Sequence, residues 1–447
     1  MRGLMLTSAA APALLAASLL VAACDVPEWL AFDSEPSPLP GERVSILSLQ
    51  GGLVPDPLIQ DVPVRLPRPR ANAAWPQAGG APGHAMQHLE LSDRPQLAWR
   101  RKVGTGSEGY RRLLASPVAA AGRVFTLDAR ADVAAVDAAT GRLLWQVPLQ
   151  PPDEEYGAIG GGLAHEGDVL YATTGFGEVA ALDAESGRVL WRRDLGAPVR
   201  APPTVGGGRV FAITVENRTY ALASDDGRPL WQHEGLPEDG GLMGAASAAV
   251  AGGIVVAPYS SGEVHALRAD NGRGVWSDLL TRTGAAALHA TFSSIAGAPV
   301  VVGDQVYAIG NAGRMAAINL RTGARAWDRA IGGAQMPWVA GDFIYLVTSE
   351  ADLVCLSRGD GRIRWVSPLQ RYEDPGSREG PIRWNGPLLA GDRLVLVSSD
   401  GRALTVSPYT GELLGTVPLP GGVHTRPIVV DRSLYVLTDD AELLAIR

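Results

Sequence analysis

From about residue 97 onward, the hydrophobic positions fall in short β-rich runs broken by turn residues. Arg123-Val124-Phe125-Thr126-Leu127 is one run, Val133 to Val136 a second, and Arg142 to Leu149 a third. A short phrase separates the last two: Ala135-Val136-Asp137-Ala138-Ala139-Thr140-Gly141, followed by Trp145. It recurs ending at Gly187 with Trp191, Gly227 with Trp231, Gly272 with Trp276, Gly323 with Trp327 and Gly361 with Trp365. A seventh copy ends at Gly411 and carries Gly415 where the others carry Trp. The closing glycines are 38 to 51 residues apart. Short strands repeating at that period predict radial repetition into a β-propeller.

Each part of the phrase has a physical job. The Asp carboxylate accepts backbone N–H groups in the turn. The Gly supplies the positive φ that closes the hairpin. The Trp sits at one fixed place per sheet, where its large apolar area serves as a spacer to the next sheet and its N–H can reach a carbonyl. Trp145, Trp191, Trp231, Trp276, Trp327 and Trp365 hold this docking position. Leu434 to Leu437 and Leu443 to Ile446 form an eighth strand pair without the turn or the Trp strand. The matching orphan, Leu97-Ala98-Trp99-Arg100, lies in front of the first repeat. The expected fold is therefore all-β: an eight-bladed propeller of four-stranded antiparallel blades, the last blade closed by an N-terminal strand.

Composition supports one large core, since 46% of the 447 residues are apolar. The net charge of −8 has no basic stripe, which argues against a nucleic-acid partner. The N-terminus changes the picture more. Arg2 is followed by an apolar run, Ala9 to Ala23, too short for a comfortable membrane span. It ends in Leu20-Val21-Ala22-Ala23-Cys24, which resembles a bacterial lipobox. That resemblance implies a signal peptide over 1–23, lipidation of Cys24 and a membrane anchor. Residues 24–70 are Pro-rich and read as a semi-rigid tether. The propeller domain is expected over 71–447. Asp25 resembles an inner-membrane retention signal, so both membranes stay open for the anchor. Cys355 lies on an apolar strand and reads as a buried, inert thiol.

Candidate chemistry is sparse. His84 and His88 stand four apart and would share a face on a helix, but no third metal ligand is near. A cap under the ring, with both histidines bonded to backbone, is the competing reading. Glu154-Glu155 and Glu373-Asp374 read as solvated loop charge. Ser247, Ser293 and Ser294 lack a nucleophile elbow. No metal, cofactor or catalytic residue is expected. The long connections between blades remain, among them Leu236 to Ser247 with Leu242, Met243 and Gly244, and Thr281 to Ala298 with Ser294 and Ile295. Apolar residues exposed there would suit protein binding.

The repeat resembles the docking motif of pyrroloquinoline quinone dehydrogenases, which carry a vicinal Cys pair that this chain lacks. The lipobox, the tether, Trp75-Pro76-Gln77-Ala78-Gly79-Gly80 and the eight repeats together resemble the BamB family of outer-membrane assembly lipoproteins, in its alphaproteobacterial version. The resemblance covers residues 71 to 447. It implies a non-enzymatic scaffold of the β-barrel assembly (BAM) complex, anchored in the outer membrane and facing the periplasm. The implied partners are the POTRA repeats of a BamA-like barrel protein, other BAM subunits and unfolded outer-membrane proteins. Leu242, Met243 and Gly244, with Ser294 and Ile295, match the family's contact loops in place, although Met243 stands where the family has Arg. The alternatives are a scaffold for another envelope complex and a quinoprotein dehydrogenase.

Overall fold

The computed structural model describes residues 52–154, 157–237, 246–281 and 295–447. Cys24 and Asp25 lie outside the described residues. The unit Leu53–Arg447 contains eight four-stranded sheets, the blades of a propeller. Blade 1 consists of Val118–Ala120, Arg123–Leu127, Asp132–Asp137 and Leu143–Pro148, from the innermost strand outward. Blades 2 to 7 repeat this over 161–194, 204–234, 249–279, 300–329, 338–368 and 384–418. Blade 8 takes Ile428–Val430, Ser433–Leu437 and Glu442–Ile446 from the end of the domain and Leu97–Lys102 from its front. That front strand pairs antiparallel with Glu442–Ile446, so the ring closes as expected.

The two middle strands of each blade form the core. Val124, Val133, Ala134, Ala135 and Val136 of blade 1 are all fully buried. A buried residue lies opposite each docking position: Ala135 faces Trp145, Ala181 faces Trp191, and Cys355 faces Trp365. Register slips by one residue beside each of these pairs. Such a bulge re-aims a side chain, here the indole.

Each indole serves the neighbouring blade. Trp145 Nε1 donates to Ala184 O at 3.3 Å, Trp276 Nε1 to Leu320 O at 2.8 Å, and Trp327 Nε1 to Arg358 O at 2.9 Å. The turn glycine accommodates the ring. Gly361 has φ +69°, and a Cβ built there would stand 2.7 Å from Trp327 Cε3. Gly is thus required both for the left-handed turn and for the stacking surface. In the corresponding turn of blade 1, Asp137 accepts the Thr140 N–H at 2.8 Å and the Thr140 hydroxyl at 2.7 Å. These bonds hold its carboxyl below the usual range.

The seven indoles meet seven turns. Trp99 in blade 8 docks on Ala138 O of blade 1, and the series runs to Trp365, which docks on Pro408 O of blade 7. Blade 7 carries Gly415 instead. Its neighbour is blade 8, whose third and fourth strands come from opposite ends of the domain and share no turn. There is no Gly turn for an indole to meet.

The segment before the first strand makes one circuit of the ring. Asn72 Nδ2 donates to Val429 O of blade 8, and the Trp75 N–H donates to Ala119 O of blade 1. Pro76 O accepts from His165 N in blade 2, and Gln77 exchanges two bonds with the Val205 backbone in blade 3. Pro82 O and Gly83 O accept from Val250 N and Val301 N in blades 4 and 5. Gln87 O accepts from Trp338 Nε1 in blade 6, and the Leu89 N–H donates to Leu389 O in blade 7. The circle closes on itself where Arg70 N donates to His88 O and Glu90 N to Arg70 O. This strap underlies the face that carries the first hairpin turn of every blade.

Part of the stretch expected as tether, 24–70, packs on the propeller. Asp56 N donates to Ile363 O at 2.8 Å, Arg364 Nε donates to Val62 O at 2.6 Å, and Val64 is buried. The stretch makes a turn over 56–62 and then runs along the blades, where the carbonyls of Val62 and Pro67 accept from Arg364 and His88.

Candidate functional site

The two faces of the ring differ. One carries the strap. The other carries the connections from each outer strand to the next inner strand, at 103–117, 149–160, 195–203, 235–248, 280–299, 330–337, 369–383 and 419–427. Between the faces lies a central cavity of about 830 Å³, with Trp75, Ala78 and Gly79 of the strap and residues of the opposite connections in its lining.

Both strap histidines are structural. His84 Nδ1 donates to Pro299 O at 2.7 Å, and Ser247 Oγ lies 3.4 Å from its Nε2. Burial, with Arg426 adding repulsion, pushes this imidazole down to about 4. The neutral ring with a proton on Nδ1 satisfies both contacts. His88 Nδ1 donates to Pro67 O at 2.8 Å, and its Nε2 accepts from Asp392 N at 3.1 Å. The pair is not on a helix; both residues have backbone bonds of their own, as the cap reading expected. Among the described residues no group of three or more His, Cys, Asp or Glu side chains has metal-binding geometry.

Arg426 is one of the charged groups lining the cavity. Its guanidinium Nη2 donates to Gln335 Oε1 at 2.9 Å. Gln335 Nε2 donates to Asn385 Oδ1 at 3.1 Å, and Asn385 Nδ2 to Val423 O at 3.0 Å. Each amide is oriented by the next, so the oxygen of Gln335 must face the guanidinium. Burial pushes the Arg426 guanidinium down to about 10, which leaves it protonated at neutral pH. No carboxylate among the described residues pairs with it.

The open face holds a second polar cluster. His233 Nε2 and His265 Nδ1 are 3.1 Å apart, and His265 Nε2 is 3.1 Å from Glu263 Oε1. Glu263 also accepts the Leu236 N–H at 2.7 Å, and Asn217 Nδ2 donates to Leu236 O at 2.7 Å. Blade 4 and Asn217 together fix the start of the 235–248 connection. Leu242, Met243 and Gly244 of that connection, and Ser294 of the next, lie outside the described residues.

Ile295 is described, and here the expectation of a contact residue is corrected. It is 2% exposed and packs with Leu280, Val301 and Val306 in a blade core. An apolar residue that closes a loop over a blade gains more by burial than by facing water. Glu373 and Asp374 are exposed on a small hairpin, where Asp374 accepts the Gly376 N–H at 2.8 Å.

Three contributions were not anticipated from the sequence. Tyr171, Tyr345 and Tyr435 send their hydroxyls to the same turns that receive the indoles. Arg101, Arg193 and Arg329 each stand two residues after a docking Trp and donate to the carbonyl of the turn glycine. The Trp-x-Arg spacing was a signal for the second. Arg426 had none, because its partners lie 90 residues away or in another blade.

Fold and site define a class: rigid eight-bladed propellers built on indole-gasketed repeats, with one strapped face and one face of connections. The family model of the outer membrane protein assembly factor BamB matches residues 129–367, more than half of the sequence, and the chain belongs to that family. BamB of Legionella pneumophila is 26% identical over 187 residues, covering 32% of this chain and 49% of the relative. BamB of Salmonella typhimurium is 30% identical over 151 residues, covering 33% and 36%. The matched segments thus span half or less of these relatives. Among solved structures, BamB from Moraxella catarrhalis superposes with a TM-score of 0.66 at 19% identity, over 79% of this chain and 99% of that one. The quinohemoprotein alcohol dehydrogenase from Comamonas testosteroni reaches 0.64 at 14% identity, over 84% and 80%. At such identities both likenesses establish the fold alone.

Proposed function

We propose that this protein is a non-enzymatic scaffold of the outer-membrane β-barrel assembly machinery. It is anchored in the outer membrane through lipid on Cys24, faces the periplasm, and docks with its face of connections on the POTRA repeats of a BamA-like subunit. The observation that carries this reading is membership of the BamB family over residues 129–367. The geometry supports it. The strap occupies one face, so the opposite face is the one free to receive a partner. The Leu236 anchor on Glu263 and Asn217 gives the connection holding Leu242 and Met243 a fixed base, and a rigid base lowers the entropy cost of binding.

The test is affinity capture of the native lipoprotein from solubilised envelopes, with mass spectrometry of the co-purifying proteins. Recovery of a barrel protein bearing POTRA repeats is expected. Leu242→Asp together with Met243→Asp should reduce that recovery at least tenfold with an unchanged melting temperature. Capture of an inner-membrane complex instead would refute the assignment and make Asp25 a retention signal.

A further inference from the structure

The central cavity combines features that a scaffold does not require. Among the described residues its lining includes three arginines, Arg112, Arg383 and Arg426, and no Asp or Glu. The whole chain carries a net charge of −8, so the cavity is a cationic site in an acidic protein. Arg112 and Arg383 are exposed and lie on the connections that open onto the free face. Arg426 lies deeper. Its backbone N–H donates to Ser116 Oγ at 2.8 Å, and Thr425 beside it donates to Leu437 O at 2.8 Å. Its guanidinium is held by Gln335 Oε1 at 2.9 Å and, at 3.5 Å, by Met336 O. Two of its five N–H donors are thereby used.

A half-buried guanidinium held, among the described residues, only by neutral acceptors is an incomplete arrangement. Enclosed cations ordinarily meet a carboxylate, because desolvation is otherwise uncompensated. Here the partners polarise and orient the group without neutralising it. The remaining walls set the indoles of Trp75, Trp338 and Trp384 beside small polar side chains such as Ser247, Asn311 and Thr348. A cavity of about 830 Å³ falls in the size range of small-molecule sites, which pair apolar walls with a few fixed polar groups.

We propose that the central cavity binds a small organic carboxylate, with its carboxylate on Arg426 and its apolar body against the indoles. Arg112 and Arg383 draw the anion in from the free face, and the strap closes the far end. The carboxylate completes the charge that the fold leaves open at Arg426. This site is separate from the protein-docking reading and does not depend on it.

Isothermal titration calorimetry on the purified full chain in nonionic detergent tests the proposal, with phenylacetate as the probe. Phenylacetamide, inorganic phosphate and a blocked hexa-aspartate peptide serve as comparisons. Saturable binding of phenylacetate at one site per chain is expected, with phenylacetamide at least tenfold weaker. Arg426→Gln should weaken phenylacetate about tenfold or more, the range of a charge-assisted hydrogen bond. Arg426→Lys should restore part of the loss. Arg112→Gln with Arg383→Gln alters exposed residues only and should weaken binding severalfold while flattening its salt dependence. If Arg426→Gln fails to fold, this double variant and the amide comparison decide the matter. Equal binding of acid and amide, undiminished binding by a folded Arg426→Gln, or no saturable heat would overturn the proposal. Tighter binding of phosphate would make it an inorganic oxyanion site. Tighter binding of the peptide would make it a protein-docking mouth. Either result would overturn the small-carboxylate assignment.

Discussion

The joint between blades 5 and 6 offers the sharpest test of how this ring is held together. Trp327 is 7% exposed. A Trp so buried removes on the order of 200 Å² from water, or about 5 kcal/mol at ~25 cal/mol/Å². Its N–H bond to Arg358 O at 2.9 Å adds about 1 kcal/mol. The Tyr307 ring at 6.1 Å adds about 1 kcal/mol more. Partial collapse of the joint and residual burial in the unfolded chain reduce the sum, so Trp327→Ala should cost ~3–5 kcal/mol. Gly361→Ala attacks the same joint from the other side. It carries a backbone cost of about 1–2 kcal/mol for an L-residue in the left-handed region. It also places a Cβ 2.7 Å from the indole, an overpacking cost of ~1–3 kcal/mol. With the indole removed, the second cost vanishes. The double variant should therefore be more stable than additivity predicts, by ~1–3 kcal/mol. Gly122→Ala is the control, since Gly122 also has positive φ (+70°) but nothing within 4 Å of its Cβ position. It should show the backbone cost alone. Urea midpoints at constant m-value measure all four variants. Additive losses, or equal losses for Gly361→Ala and Gly122→Ala, would refute the gasket model.

Three further outcomes follow from the same structure. His84 titrates near 4 in the folded state because it is buried, and near 6.5 unfolded, so the unfolded chain takes up its proton first. Stability from this group is complete above pH 6.5 and falls as pH drops toward 4, by about 3 kcal/mol in all; thermal melts of His84→Gln against pH should lack that slope. Gln77→Ala removes both partners of the Val205 backbone and should cost ~2–3 kcal/mol for two buried groups left unpaired, with faster hydrogen exchange at the Val205 amide as the local readout. Gly415→Trp should bring no stability, because blade 8 offers no turn to dock on, and Leu413→Lys and Val417→Lys on the same exposed strand should shift stability by no more than about 0.5 kcal/mol; a stabilised Gly415→Trp would show that the indole acts without a turn.

The repeat made the fold legible because every part of it reports a local constraint. Asp and Thr at three-residue spacing report a turn, the Gly reports positive φ, and the Trp reports a neighbour. Blade count and closure followed from which copies lacked which parts. The strap was legible as a cap from His84 and His88, but its full circuit was not. Its bonds run mostly through backbone, as at Pro76 O, Pro82 O and Gly83 O, and backbone groups leave no mark in side-chain identity. The extent of the tether was misjudged for the same reason: Pro-rich composition is shared by free spacers and by extended segments laid on a surface. Ile295 was misplaced because an apolar residue near a loop end reads alike whether it covers a core or faces a partner. Arg426 was hidden among many arginines, since what distinguishes it is that no carboxylate among the described residues pairs with it.

The difference between the two faces links these features to function. Repeat length varies from 38 to 51 residues, yet the hairpins beside the strap are short in every blade. The variation falls in the connections on the opposite face, such as 280–299 beside 330–337. Added loop length costs little when the loop ends are already fixed, rising only with the logarithm of length. Here those ends are fixed three times over, by the indole joints, by the strand that completes blade 8, and by the strap that ties all eight inner strands. Each device spares the connections from holding the ring together. They can therefore carry recognition wherever their residues are not, like Ile295, packed into a blade core.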